Sequence, residues 1–381
     1  MLDLRAHFLR FLTAEPGRLH FAAHSHHPWP DVTRDAQLRA WDDAARLQDE
    51  KWEAVLGPVL EACRAHVARH LNLPDPASLA FAPNTHDFVR RILSSLPTGR
   101  PPRVLTTDGE FHSFARQAAR LEEEGLIAVT RIPSEPGAEC MARLVEAARQ
   151  GFDLIWVSEV FFHSGFALEG LEALAEAAGE AVLVIDGYHA FMARPVDLSR
   201  LAGRAFYTAG GYKYAMAGEG CCFLHCPPGW LPRPRDTGWF AAFGALAASD
   251  GQVGYAPDGN RFLGATFDPS GLYRLDAAMR WLDGLGVTVA AIHAHAHALQ
   301  ERFCAGLEGT GLDPARLAVP LGETRRGNFL AFDLDDAEGW QARLAEARIV
   351  TDRRGRRLRF GFGLYQTEEE VEDVLRRIRG L

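Results

Sequence analysis

Between about residues 60 and 270, short apolar runs alternate with amphipathic stretches at helical spacing, and few architectures can take up that alternation. The runs fall at 79–81, 104–107, 126–129, 154–157, 181–185, 205–208 and 221–224. Several are apolar at successive positions, as strands buried on both faces of a parallel sheet are. The segments between them, 171–179 for example, carry Ala, Glu and Leu at helical spacing. The pattern predicts an α/β fold with a doubly wound, mostly parallel sheet, whose ligand crevice lies at the carboxyl ends of the strands. Past residue 270 the texture changes to a long helical stretch (275–307), a strand (328–332), a helix, a strand (357–362) and a last helix opened by a capping box, Thr367-x-x-Glu370. The expected organisation is a large domain over 60–270 and a smaller α+β domain over 271–381, with residues 1–59 packing against the small one.

The chain has 381 residues, enough for two such cores. Its net charge of −9 disfavours a surface-wide attraction to nucleic acid or to an anionic membrane. The basic cluster Arg353-Arg354-Gly-Arg356-Arg357-Leu-Arg359 is too short and too alternating for a nucleic-acid arm. No run of apolar residues is long enough to span a bilayer. The first residues lack the apolar core of a secretion signal, so a cytoplasmic location is expected. The six cysteines are scattered without the paired spacing zinc requires, and are expected to be reduced core thiols.

Two strand ends carry the chemistry. The run Val182-Leu-Val-Ile-Asp186-Gly-Tyr-His189-Ala closes a buried strand with a carboxylate. A buried Asp needs a partner to stay ionised, and a protonated ring nitrogen is one. The alternative is an ordinary helix N-cap. Further on, Gly210-Gly211-Tyr212-Lys213-Tyr214 places a lysine amid glycines and aromatics. Desolvation there lowers its pKa and favours the neutral amine that Schiff-base formation needs. The alternative is a surface lysine in a Gly-rich turn, but lysine is rare here, and Lys51 is the only other one.

These motifs resemble the class V aminotransferase superfamily, pyridoxal-phosphate (PLP) fold type I, and most closely the kynureninases. The resemblance implies a PLP cofactor held on Lys213, with Asp186 under the pyridine nitrogen and His189 beside it. Ala82-Pro-Asn84-Thr85-His86 opens a helix where the family binds the cofactor phosphate, and helix N-termini suit anions. Glu110-Phe111-His112-Ser113 is similar to the family's Phe-Pro-Ser-Asp, which implies Phe111 stacking on the ring. Ser158-Glu-Val-Phe-Phe-His-Ser-Gly resembles a segment that places Ser158 near the cofactor. Tyr212 is implied as a phosphate donor and proton-transfer group. Gly238-Trp239-Phe240 matches a segment that reaches the partner's site, which implies a homodimer and Trp239 at the cofactor. Arg359-Phe-Gly-Phe-Gly-Leu-Tyr365 matches the segment whose Arg grips the substrate α-carboxylate, a task suited to a guanidinium fork.

Substrate recognition departs from that pattern. The kynureninases carry Gly-Asn-Ser-Leu-Gly where this chain has Ala23-His24-Ser25-His26-His27, and Asp268-Pro269 replaces their Asn-Pro. His24 and Asp268 are therefore expected to line an altered substrate pocket. No metal site is expected from His24, His26 and His27, nor from His293, His295 and His297, which read as a solvated helix face. A desulfurase would need a nucleophilic cysteine late in the chain, and the last one is Cys304. The expected activity is kynureninase-like hydrolysis of a Cβ–Cγ bond in an α-amino acid. The alternatives are a class V aminotransferase or epimerase, or a non-catalytic binding protein.

Overall fold

The computed structural model describes residues 2–245 and 251–381. After a two-residue strand β1 (Leu19–His20), the chain builds seven strands: β2 (Leu79–Ala82), β3 (Arg103–Thr107), β4 (Ala128–Ile132), β5 (Leu154–Ser158), β6 (Val182–Asp186), β7 (Ala205–Gly210) and β8 (Cys222–His225). They form one sheet in the order β2-β8-β7-β6-β5-β3-β4. Only β8 runs against its neighbours; the other pairs are parallel. Alternate residues explain the continuous apolar runs. Ile155, Val157, Leu183 and Ile185 enter the core on one face, and Leu154, Trp156, Val182 and Val184 enter the core on the other. The sheet is covered on both sides, as the sequence predicts.

Strand β4 begins two residues later than its predicted run. It is the edge strand and mostly exposed, and Leu126 lies outside it in the preceding turn. The predicted helix 275–307 is two helices, Ser270–Gly284 and Val289–Ala305. Gly286 separates them at φ +66°, a backbone state side chains disfavour, and the Thr288 hydroxyl accepts from Ala291 N–H to start the second. The predicted capping box forms only in part. Thr367 sits at the N-cap of Glu368–Ile378 without a side-chain cap bond, while the Glu370 carboxyl accepts from Thr367 N–H and also pairs with Arg5.

The last strands are β9 (Phe329–Asp333), β10 (Ile349–Val350), β11 (Asp352–Arg354) and β12 (Arg357–Gly361). The order β11-β12-β9 makes an antiparallel sheet, while β10 pairs in parallel with β1. The N-terminal segment packs on residues beyond 270. Ala22 bridges to Gly361, and the helix Val32–Leu47 packs along Ser270–Gly284. This leads residues 20–27 past the carboxyl ends of the large sheet. Among the described residues no helix is long and apolar enough to cross a membrane.

Candidate active site

Register brings the first groups together. Ser158 pairs with Asp186, and Asp186 with Thr208, so two polar strand ends lie side by side next to a third polar residue inside β7. Asp186 is almost fully buried, and its Oδ1 accepts from Tyr188 N–H at 3.0 Å. A turn, not a helix, follows it, so the N-cap alternative does not hold. Burial raises the Asp186 carboxyl, opposed by the Tyr188 N–H and by Lys213.

Lys213 stands in the turn after β7, only 4% exposed, which removes the surface-turn alternative. Its Nζ lies 2.6 Å from His189 Nε2. It also lies 5.3 Å from the Tyr188 ring, 5.4 Å from the Phe111 ring and 5.7 Å from the Tyr212 ring. Desolvation pushes the Lys213 amine down to about 7, against the pull of Asp186. Desolvation, with Lys213 and Arg359 nearby, holds His189 well below its usual range, so its ring is neutral. His189 Nδ1 is buried without a partner.

Glu110 is a site residue whose role sequence reasoning missed. Its two oxygens accept from the hydroxyls of Ser158 and Thr107, each at 2.6 Å, so the Ser158 hydroxyl is already engaged. Burial pushes the Glu110 carboxyl up to about 7. Glu159, next along, accepts from the Tyr207 hydroxyl at 2.8 Å and is likewise pushed up to about 7 by burial. Both carboxylates were visible in the motifs, Glu159 directly after the strand-end Ser158, but nothing local signalled their burial.

At the opposite end, Asn84 and Thr85 open the helix Thr85–Ser94. Asn84 Oδ1 caps that helix, accepting from Asp87 N–H at 3.1 Å, so its side chain is spent and its exposed position contributes backbone. Thr85 is buried, its hydroxyl 3.6 Å from Cys222 Sγ. The Tyr212 ring packs 5.4 Å from Tyr188 and 5.6 Å from His26. Burial pushes its phenol up to about 12, so it keeps its proton.

Arg359 and His24 close the other side. Arg359 is buried, with Nη2 on Asp352 Oδ2 and Nη1 on the Phe162 carbonyl. Asp352 lies directly opposite it across the β11–β12 ladder. The His24 ring stacks on Phe329 at 4.5 Å and has no hydrogen-bond partner on either nitrogen. Two expected residues are not brought here. Asp268 accepts from Ser270 N–H and its hydroxyl, both at 2.9 Å, starting the helix Ser270–Gly284. Trp239 packs on Phe240 and Phe243, with no contact to the Lys213 cluster within this chain. The second histidine cluster is not a solvated face either. His293 bonds Asn328, His297 bonds Arg326, and His295 is buried. All six cysteines are free and buried.

The family model for "Aminotransferase class-V" matches residues 46–374. An isopenicillin N epimerase from Streptomyces clavuligerus is 30% identical over 227 residues, 55% of this chain and 54% of that protein. A cysteine desulfurase from Pectobacterium atrosepticum is 25% identical over 279 residues, 70% of this chain and 66% of the relative. The match therefore spans about half to two thirds of these relatives. Among solved structures, the apo cysteine desulfurase of Thermococcus onnurineus NA1 superposes with a TM-score of 0.80 at 19% identity, covering 100% of this chain and 99% of that one. The cystine C-S lyase C-DES, in complex with cysteine persulfide, gives 0.81 at 18%, covering 97% and 98%.

The residues present fit PLP. A buried carboxylate with one oxygen engaged suits a ring N–H, a desolvated amine suits the aldehyde, and a helix N-terminus suits the phosphate. The unpartnered Nδ1 of His189 marks a polar site that is incomplete in the protein alone. With the family model matched over most of its length, the chain belongs to the class V aminotransferase family, whose cofactor is pyridoxal phosphate.

Proposed function

We propose that this is a PLP enzyme that moves the α-proton of an α-amino acid, with Lys213 carrying the cofactor and acting as the base. What supports the reading above all is a buried amine pushed down to about 7, set 2.6 Å from a neutral imidazole and facing a buried carboxylate. When bound, the cofactor supplies an electron sink for negative charge at Cα. Asp186 holds a proton at the ring nitrogen. Lys213 Nζ takes and returns the proton at Cα, and His189 orients Nζ. Phe111 shields one ring face from water, while Tyr212, Thr85 and the helix amides beside Asn84 hold the phosphate. Arg359 receives the α-carboxylate.

Within that chemistry the leading reading is kynureninase-like hydrolysis of a Cβ–Cγ bond, with His24 rather than Asp268 on the substrate side. A second reading, epimerisation at Cα, is favoured by the 30% identity to an isopenicillin N epimerase. Desulfuration lacks its nucleophile, because burial pushes the Cys304 thiol up to about 12 and no cysteine follows it. The test is to incubate holoenzyme in deuterated water with kynurenine, 3-hydroxykynurenine and a panel of amino acids. Anthranilate fluorescence supports hydrolysis, and α-deuterium incorporation with inversion at Cα supports epimerisation. No α-exchange with any amino acid would overturn the proposal.

A further inference from the structure

The Arg359 fork already holds a carboxylate. Asp352 Oδ2 accepts from Arg359 Nη2, while Oδ1 accepts from Arg354 Nη1 at 3.0 Å and from Arg353 N–H at 2.7 Å. The pairing is built into the fold, because β11 and β12 set residues 352 and 359 opposite one another. Two guanidinium groups thus share one carboxylate, the Arg359 one buried and the Arg354 one partly open to solvent.

The same place has more donors than acceptors. Arg359 Nε and Arg354 Nε are buried donors without partners, and so is the one N–H of the neutral His24 ring, neither of whose nitrogens is bonded. Each is costly to leave unsatisfied away from water. His24 is completely buried, and its Nε2 stands 3.7 Å from Asp352 Oδ2, just beyond hydrogen-bonding reach. A second carboxylate would satisfy this surplus, provided that Asp352 moves a short way toward His24 and Arg354.

We propose that Asp352 is a specificity-determining residue that occupies the substrate-carboxylate seat at Arg359 and yields it on binding, turning Oδ2 to His24 Nε2 while Oδ1 stays on Arg354. Asp352 then competes with every incoming acid, and admits only ligands whose carboxylate outbids it. This rests on the reading that Arg359 receives the α-carboxylate.

Calorimetric titration of holoenzyme with propionate and propionamide, which lack the amine that reacts with the cofactor, tests it. Asp352→Asn removes the competitor's charge and keeps its shape, so propionate is expected to bind about tenfold tighter, with propionamide unchanged. His24→Asn removes the landing partner and is expected to weaken propionate several-fold. Were Asp352 only holding Arg359 in position, Asp352→Asn would weaken propionate instead; that result, or no change, overturns the proposal. If Asp352→Asn fails to fold, unchanged propionate binding by His24→Asn overturns it. Arg359→Ala separates the two layers. Unaltered propionate affinity in that variant would show that the Arg359 reading itself is wrong.

Discussion

Burial and a neighbouring carboxylate pull the Lys213 amine in opposite directions, and burial is the larger, leaving it near neutrality. That balance depends on Asp186, which is also the residue proposed to pair with the ring nitrogen. Asp186→Ala is expected to slow turnover by about 100- to 1,000-fold with cofactor still bound, as loss of one preorganised electrostatic partner does. Steady-state kinetics on any amino acid that the enzyme turns over check this, and an unchanged rate would show that the partner lies elsewhere. Arg359 is expected to act on binding. Truncating one side of a buried charged pair costs about 2–5 kcal/mol, and Asp352 already takes part of that interaction, so Arg359→Ala should raise KM about thirtyfold. Lys213 and Asp186 were legible in the sequence because lysine is scarce and the carboxylate ends an apolar strand. Asp352 was not, although Gly355, at φ +56°, turns the hairpin that sets it against Arg359. The partner of a strand residue is set by register across the turn, and the run of arginines around it hid the one acid.

Strand β12, which carries Arg359, is locked to the N-terminal segment. Gly361 N–H donates to the Phe21 carbonyl at 2.7 Å, and a Cβ at 361 would meet His24 Nδ1 at 2.2 Å and the backbone nitrogens of His24 and Ala23 at 2.8 and 2.9 Å. Backbone cannot step aside as a side chain can, so Gly361→Ala should destabilise the fold by about 1–3 kcal/mol, read by denaturant unfolding. Under the large sheet, Glu159 gives a pH signature. Its folded pKa is raised to about 7 from an ordinary 4.5, so the stability tied to its neutral form is complete below about 4.5 and lost as pH rises through 7. Glu159→Gln keeps an acceptor for Tyr207 and cannot ionise. Its melting temperature should fall less than that of the wild type between pH 5 and 8, and parallel curves would contradict the assignment. The buried strands were readable because both faces are apolar. The edge strand β4, the break at Gly286 and the burial of His293, His295 and His297 were not, because each depends on what packs against the element rather than on its own residues.

At the scale of the molecule, apolar surface is concentrated near the segment expected to reach a partner. Trp41 is 75% exposed and Phe243 42%, and Trp52 lies between them, sharing a groove with Trp41 and touching Phe240 at 5.4 Å. Such a patch on a solvent face calls for a cover. The holoenzyme is expected to be a homodimer by light scattering, with Trp41→Glu shifting it toward monomer; a monomeric wild type at micromolar concentration would refute this. The central claim, that this chain places PLP on Lys213 and nowhere else, has a direct measurement. The protein is loaded with PLP, reduced with borohydride and digested, and the cofactor-bearing peptide is sequenced by mass spectrometry. The expected result is one adduct at Lys213, with the visible band lost in Lys213→Ala and kept in Lys51→Ala. An adduct at Lys51, or no adduct at all, would contradict it.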